Sequence, residues 1–374
     1  MTPHPIGSLG ILCSTRPGTP PFSEHHYCRT LSQAGSKYGI FVVVLCPQGT
    51  QHAPHVVNGY VFETDGWKER LVPMPDIIYD RCFYLKGRER RAASKLLTSS
   101  KEQKPWMIWA RGLPGKWKVY NKLKHELSLK SCLPPTAPYL GPESLIKNLL
   151  TYQKQVFLKP QAGSQGKSTL HVQIPTATER LTIKGRDYHN NPFNQSFDTR
   201  SEGLAWIHQF IHQRPFIIQP YLHLYDKKER PFDIRVLMQK NGEGRWMLTG
   251  MAVRKGSIGG TTSNLHGGGT ATSVLPFLIR EFGATQAEHM MAVLHNLSKD
   301  IPPILESHFG RLGELGIDYG IDTQGDIWLL EVNSKPGRSS FNHIEDPTSA
   351  VLAAENPLRY ARYLLLRQPR RVNS

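Results

Sequence analysis

The chain has 374 residues, 39% of them hydrophobic, and a formal charge of +16 at pH 7. That length accommodates two or three lobes with real cores, and no apolar run approaches the ~20 residues that span a bilayer. So basic a balance favours polyanionic partners without choosing among nucleotides, nucleic acid and acidic polymers.

The N-terminus, "MTPHPIGSLGILCSTRPGTPP", lacks the basic start, apolar stretch and small-residue cleavage site of a signal peptide, so a cytoplasmic chain is expected. Five cysteines without a C-x-x-C pair argue for reduced, structural thiols. The opening reads strand, loop, helix, strand: "IGSLGILCS", "TRPGTPPF", "SEHHYCRTLSQAGSKYG", "IFVVVLCP". Ser23 with Glu24 marks the helix entrance and Gly39 its stop. A hairpin-like stretch follows, then the short strand "DIIYD" and a basic segment over residues 86–117. Between Lys86 and Lys130 the many basic residues meet only Glu89, Glu102 and Glu126. A solvated helix face is the simpler reading there, because no nucleic-acid motif accompanies it.

From about residue 118 a helical piece, "KVYNKLKHELSLKSC", ends at "LPPT", where Pro134 and Pro135 stop the helix and a new lobe begins. "QVFLKP" reads as a strand and "QAGSQGKST" as a donor-rich loop, while residues 176–203 are polar and carry no clear pattern. "RPFIIQPYL" is a strand that Pro220 brings to its end. "FDIRVLMQ" and "RWMLTGMAVRK" flank "KNGEG", a hairpin signal. A long helix over "ATQAEHMMAVLHNLSKDIPPILESHFG" is expected to break at Pro302 and Pro303. "LGELGIDYGIDTQGDIWLLEVN" supplies two final strands, and no internal repeat is present.

Side chains two apart on a strand face the same side, so Glu331 and Asn333 project together where "WLLEVNSKPG" ends. Two oxygen donors on one face suit a hard cation such as magnesium. Asp318 on the preceding strand is a third candidate; Asp322 is an alternative, although "GIDTQGD" looks like the turn itself. A strand capped by polar turn residues is the plainer explanation of E-x-N alone. Lys159 ends "FLKP" beside a glycine loop, where an ammonium would meet phosphate oxygens or simply reach solvent. The loop offers successive N–H donors. It is not a Walker A loop, since Gly163 and Gly166 are too close. Arg235 and Arg254 lie on the two arms of the hairpin, where they would clamp a phosphate or pair with a carboxylate such as Asp233. "GGTTSNLHGGGTA" adds Asn264 and His266, the latter read as a loop histidine without catalytic duty.

The series "YNKLKHEL", "LPPT", "FLKPQAGSQGKST", "FIIQPYL", "FDIRV", "AVRK", "SNLHGGG", "LGIDYGID" and "WLLEVNSKPG" resembles, in its order, the ATP-grasp superfamily over residues 118 to about 340. With "IGSLGILCS" and "MPDIIYDR" the chain looks like the YheC/YheD-like branch, the endospore-coat-associated ATP-grasp proteins of spore-forming bacteria. The resemblance implies an α/β (α+β) fold: a pre-ATP-grasp domain over 1–117, then an ATP-grasp domain over 118–374. Within the latter it implies a smaller lobe (118–222), a larger lobe with the metal site (223–345), and a C-terminal helix and basic tail (346–374). It implies that Lys122 and Lys159 hold ATP phosphates under a loop containing Gly163, Ser164 and Gly166. Gln219, with the backbone of Tyr221 and Leu222, would read adenine, and Asp233 would meet the ribose. Asp318, Glu331 and Asn333 would hold magnesium, or manganese, with Arg235, Arg254 and Asn264 around the acyl-phosphate site. Gln219 stands where an acidic hinge residue is common, but its amide can still pair with an adenine amine.

The expected activity is ATP-dependent ligation of a carboxylate to an amine or thiol through an acyl phosphate, on an amino acid, peptide or acidic polymer, associated with sporulation or the spore coat. The alternatives are a non-catalytic nucleotide-binding coat protein, and nucleic-acid binding through residues 86–130, which would weaken steeply with salt.

Overall fold

The computed structural model describes residues 5–47, 52–53, 56–84, 87–101, 105–163, 166–175, 180–260, 263, 270–342, 344 and 347–367. Three sheets follow one another along the chain. In the first, β1 (Gly7–Leu12) is crossed by α1 (His25–Gly35) to reach β2 (Ile40–Leu45), which pairs with it in parallel. Gly39, at φ 66, makes the tight turn into β2 that the sequence marks as a stop. β3 (His52–Ala53), β4 (Val56–Glu63) and β5 (Gly66–Pro73) form an antiparallel extension. β6 (Ile77–Asp80), α2 (Gly87–Lys101) and β7 (Met107–Ile108) complete an order β3-β4-β2-β1-β6-β7, with β5 on β4. The Val42–Leu45 run is buried on both faces, which is why "IFVVVL" shows no alternation. Arg88, Arg90 and Arg91 line the exposed side of α2, the solvated basic face expected of this segment.

The second sheet begins after α3 (Lys116–Leu123), with β8 (Ala137–Pro138) and α4 (Pro142–Thr151). β9 (Gln155–Pro160), β10 (Thr169–Gln173), β11 (Leu181–Arg186), β12 (Pro192–Phe197), α5 (Arg200–Ile211) and β13 (Phe216–Pro220) follow. The strands run antiparallel in the order β12-β11-β10-β9-β13-β8. The polar stretch 176–203 thus contains β11 and β12, whose outward positions face solvent and hide the strand period. Leu145, Leu149, Ile207 and Ile211 of the two helices pack on Val156, Leu158, Val172 and Ile218. The other face carries Phe157, Lys159, His171 and Gln219, neighbours in the strand register.

The third sheet comprises β14 (Phe232–Lys240), β15 (Trp246–Lys255) and β16 (Thr270–Thr272), then, after α6 (Val274–Phe282) and α7 (Ala284–Phe309), β17 (Glu314–Ile321) and β18 (Ile327–Asn333). Its order is β16-β15-β14-β17-β18. Contrary to the expected break, α7 runs unbroken through Pro302 and Pro303. Its face Leu294, Ile301 and Leu305 packs on the sheet, and that burial outweighs the helix bonds the prolines cannot donate. α8 (Pro347–Arg367) closes the chain, with Ala353 against Leu237 and Ala252 of the third sheet and Leu358, Ala361 and Leu364 in the core of the first. The five cysteines are buried, and none forms a disulfide. Among the described residues no helix is long and apolar enough to cross a membrane.

Candidate functional site

Strand register assembles the site. Asp233 and Arg235, two apart on β14, share one face of the third sheet; Arg254 of β15 stands opposite Asp233, and Asp318 of β17 opposite Arg235. Asp318 in turn faces Glu331 of β18, and Asn333 follows two positions on, opposite Gly316. A row of polar side chains therefore crosses four strands on the face away from α7. Arg235 grips Asp318 with two bonds, Nε–Oδ1 2.5 Å and Nη2–Oδ2 2.9 Å. Arg254 grips Asp233 with two at 2.6 Å and reaches Asp318 Oδ1 at 3.1 Å. Ser263 Oγ adds a bond to Asp233 Oδ2 at 2.5 Å. All four charged groups are buried. Burial opposes ionisation of Asp318, yet the guanidinium groups of Arg235 and Arg254 hold its carboxyl below the ordinary value. Burial likewise opposes the charge of Arg254, and Asp233 with Asp318 overcomes it.

Two lysines reach this row from outside the sheet. Lys159, at the end of β9, donates to Leu330 O at 3.0 Å. That carbonyl is in reach because the pairing of β17 with β18 shifts after Asp318 and leaves Leu330 without a cross-strand partner. Burial lowers the Lys159 ammonium to about 8, with Glu331 opposing and Lys116 assisting the shift. Lys116, in the first turn of α3, lies 3.1 Å from Glu331 Oε1 and donates to Gly163 O at 2.7 Å. Gly163 and Gly166 both take positive φ, at 147° and 69°, and Thr169 Oγ1 caps Gly166 O at 2.9 Å. Ser164 lies outside the described residues, as do Asn264 and His266.

Lys122 is not brought into this cluster: it is exposed in the last turn of α3, while Lys116, from the first turn of the same helix, reaches Glu331 and Gly163. Sequence reasoning missed Lys116, although a lysine at the positive end of a helix, after Pro114 and Gly115, is a signal that something other than the helix selects it. Asp233 is committed to Arg254 and Ser263 rather than presented to a ribose, so the carboxylate-pairing alternative accounts for it. Asp322 belongs to the β17–β18 turn, accepting from Gln324 N, Asp326 N and Trp328 Nε1, which leaves Asp318 as the carboxylate beside Glu331.

The hinge residues lie at the end of β13. Thr136 Oγ1 donates to Pro134 O at 2.8 Å, so it must accept from Gln219 Nε2, also at 2.8 Å. That fixes the buried amide with its carbonyl oxygen as the remaining acceptor, the polarity an exocyclic amine requires. Tyr221 N bonds Gln155 O at 3.4 Å, and its ring stacks on His171 at 3.5 Å and 10°. Burial lowers the His171 imidazole to about 4, so this partner is neutral at physiological pH. Leu222 is half-buried, its carbonyl accepting from Leu224 N at 3.0 Å.

The turn after Asn333 meets the carboxyl ends of β1 and β6, where open parallel sheets present ligands. Lys335 Nζ pairs with Asp80 Oδ2 at 2.8 Å and donates to Cys82 O at 2.6 Å. The wholly buried Arg81 is held by Glu24 (2.8 and 2.6 Å), Glu314 (2.9 Å) and Pro336 O (3.1 Å). Arg338 also bonds Glu314, and Tyr79. This network, absent from the sequence reading, locks the turn bearing the site to the first sheet. Glu24 sits at φ 58, a strained conformation for a residue with a Cβ, and its carboxylate is oriented by Arg81.

The donor set tests whether a metal fits. Among the described residues no three His, Cys, Asp or Glu side chains form a metal cluster, so no all-carboxylate cage exists. Two carboxylates and one amide, Asp318, Glu331 and Asn333, do share a face, a sparse oxygen set of the kind magnesium accepts when phosphate oxygens complete its shell.

A family model described as YheC/D-like ATP-grasp matches residues 107–364. The endospore coat-associated protein YheC of Bacillus subtilis (strain 168) is 29% identical over 351 residues, covering 92% of this chain and 94% of its own. Among solved structures, D-cycloserine synthetase DcsG superposes with TM-score 0.54 at 12% identity, over 96% of this chain and 99% of its own. An ADP complex of N5-carboxyaminoimidazole ribonucleotide synthetase gives 0.51 at 11% identity, over 90% and 72%. At such identities these two structures speak to the fold.

Proposed function

The chain belongs to the YheC/D-like ATP-grasp family, and from that membership we propose an ATP- and magnesium-dependent ligase that activates a carboxylate as an acyl phosphate and passes it to an amine or thiol. The observation that carries this reading is the convergence of Lys159 and Lys116, from outside the third sheet, on the row that ends in Glu331 and Asn333. A carboxylate is a poor electrophile and needs no side-chain nucleophile if ATP supplies the leaving group, so positioning and charge are the protein's contribution. Lys159 and Lys116 would hold phosphate oxygens, and Gly163 and Gly166 would let backbone N–H groups close on them. Gln219 Oε1 would accept from the adenine amine. Magnesium bound at Asp318, Glu331 and Asn333 would supply positive charge at the transferred phosphate. Arg235 and Arg254, already fixed by Asp318 and Asp233, would stabilise charge on that phosphoryl group without reorganising. The wall of Lys335, Asp80 and Glu24 would receive the substrates. Association with the spore coat is proposed from the printed name of YheC.

The test uses hydroxylamine as a generic amine. Purified chain, Mg·ATP and pooled amino, peptidyl and polymeric acids should give acid-dependent ADP and hydroxamate, both lost in Lys159→Met. Tight ATP binding with no hydroxamate from any pool would overturn the ligase reading in favour of a nucleotide-binding protein without turnover.

A further inference from the structure

At the far end of β14 from the arginine row, a cleft of about 550 Å³ opens between α7, the β14–β15 turn and α8. Asp233 and Lys240 are seven residues apart on that strand, about 23 Å, so this cleft is separate from the nucleotide site. Gly244 in the turn takes φ 74, and a Cβ there would lie 2.6 Å from the Tyr363 ring, so the turn and α8 meet closely along one edge.

Its charges do not cancel. Glu306, the carboxylate of the lining, is saturated: Oε1 accepts from Lys240 Nζ at 2.5 Å and Leu312 N at 3.0 Å, and Oε2 from Trp246 Nε1 at 3.2 Å. Lys240 is completed by the rings of Trp246 and Tyr360, at 5.3 and 5.5 Å. Arg311 also lines the cleft. It donates from Nη2 to Ile108 O at 2.5 Å, while its buried Nε has no hydrogen-bond partner, a rarity for a buried donor. Arg367 lies over the Tyr363 ring at 4.6 Å. Among the described residues neither arginine pairs with a carboxylate. Two uncompensated guanidinium groups therefore border walls formed by Met107, Leu364 and Tyr360.

We propose that this cleft binds a small organic dianion, its two negative charges held by Arg311 and Arg367 and its apolar or aromatic body lying against Tyr360 and Leu364. Guanidinium forks match phosphate and carboxylate oxygens, and the volume is that of an ordinary small-molecule site. Because the lining comes from β7, β14 and α8 together, the ligand would also tie the first sheet to the third.

Calorimetric titration with phenyl phosphate and with isophthalate tests this, with benzoate and inorganic phosphate as controls. Saturable one-to-one binding of at least one dianion is expected, weakened tenfold or more in Arg311→Met and in Arg367→Met, and unchanged in Lys159→Met, which alters the other site. Arg367 is exposed, so its variant tests the cleft even if Arg311→Met folds poorly. Binding of only one dianion fixes the oxyanion as phosphate or dicarboxylate. No saturable binding at millimolar ligand, benzoate binding as tightly as the dianions, or equal affinity in Arg367→Met would overturn the proposal.

Discussion

Replacing Lys159 by methionine should stabilise the unliganded protein while removing its grip on phosphate. Burial holds the ammonium at about 8 against an ordinary 10.5, so below pH 8 the charged group opposes folding by about 3 kcal/mol. Methionine keeps the apolar stem and removes that cost, but leaves Leu330 O without its donor, a loss of about 1–2 kcal/mol. The net gain near neutrality is then about 1–2 kcal/mol. The sign follows from linkage: between pH 8 and 10.5 the unfolded chain binds the proton and the folded one does not, so native stability rises with pH there. The advantage of Lys159→Met must therefore be largest at pH 7 and turn, towards pH 10.5, into a deficit of about 1–2 kcal/mol, the lost bond to Leu330 O alone. Denaturant midpoints read by tryptophan fluorescence at pH 7 and pH 10 measure this. A variant less stable than the native chain at pH 7, or a gain equal at both pH values, would rule out a buried ammonium that opposes folding. The same lysine should regain its proton beside phosphate, so Mg·ATP binding near pH 9 should take up a proton, visible as a buffer-dependent enthalpy.

Arg254→Met strands Asp233 and leaves Asp318 with Arg235 alone, which should cost about 3–5 kcal/mol at neutral pH by chemical denaturation. The stability contributed by the lowered Asp318 carboxyl is present above its unfolded value and lost as pH falls through the folded one; the variant's carboxyl is less lowered and has less to lose, so its deficit against the native chain should narrow on acidification. Gln219→Glu sets a carboxylate against Thr136 Oγ1, whose hydrogen is committed to Pro134 O, and should cost about 1–3 kcal/mol and weaken ATP binding. Both losses should shrink as the pH is lowered and the new carboxyl protonates, which thermal melts and ATP titration at pH 5 and 7 would show.

What could be read from the sequence was what has a short period or a local turn. "FDIRVLMQ", "KNGEG" and "RWMLTGMAVRK" gave the hairpin that registers Arg254 on Asp233, and the i, i+2 spacing of Glu331 and Asn333 gave their common face. Lys159 followed from its place at the end of an apolar strand. Pro302 and Pro303 misled because propensity ignores the packing of α7 on its sheet. Lys116 was passed over for Lys122 because both lie on one short helix and only the tertiary approach of Gly163 and Glu331 tells them apart. The Arg81, Glu314 and Arg338 network could not be read at all, since its members stand far apart in sequence and meet through the packing of the first sheet on the third.

Calorimetric titration of the native chain and of Glu331→Ala combined with Asn333→Ala with Mg·ATP tests whether this row is a magnesium–nucleotide site. One-to-one, magnesium-dependent binding that the double variant loses while remaining folded is the expected result. A well-folded native chain that does not bind, or binding that neither magnesium nor the double substitution alters, would contradict it.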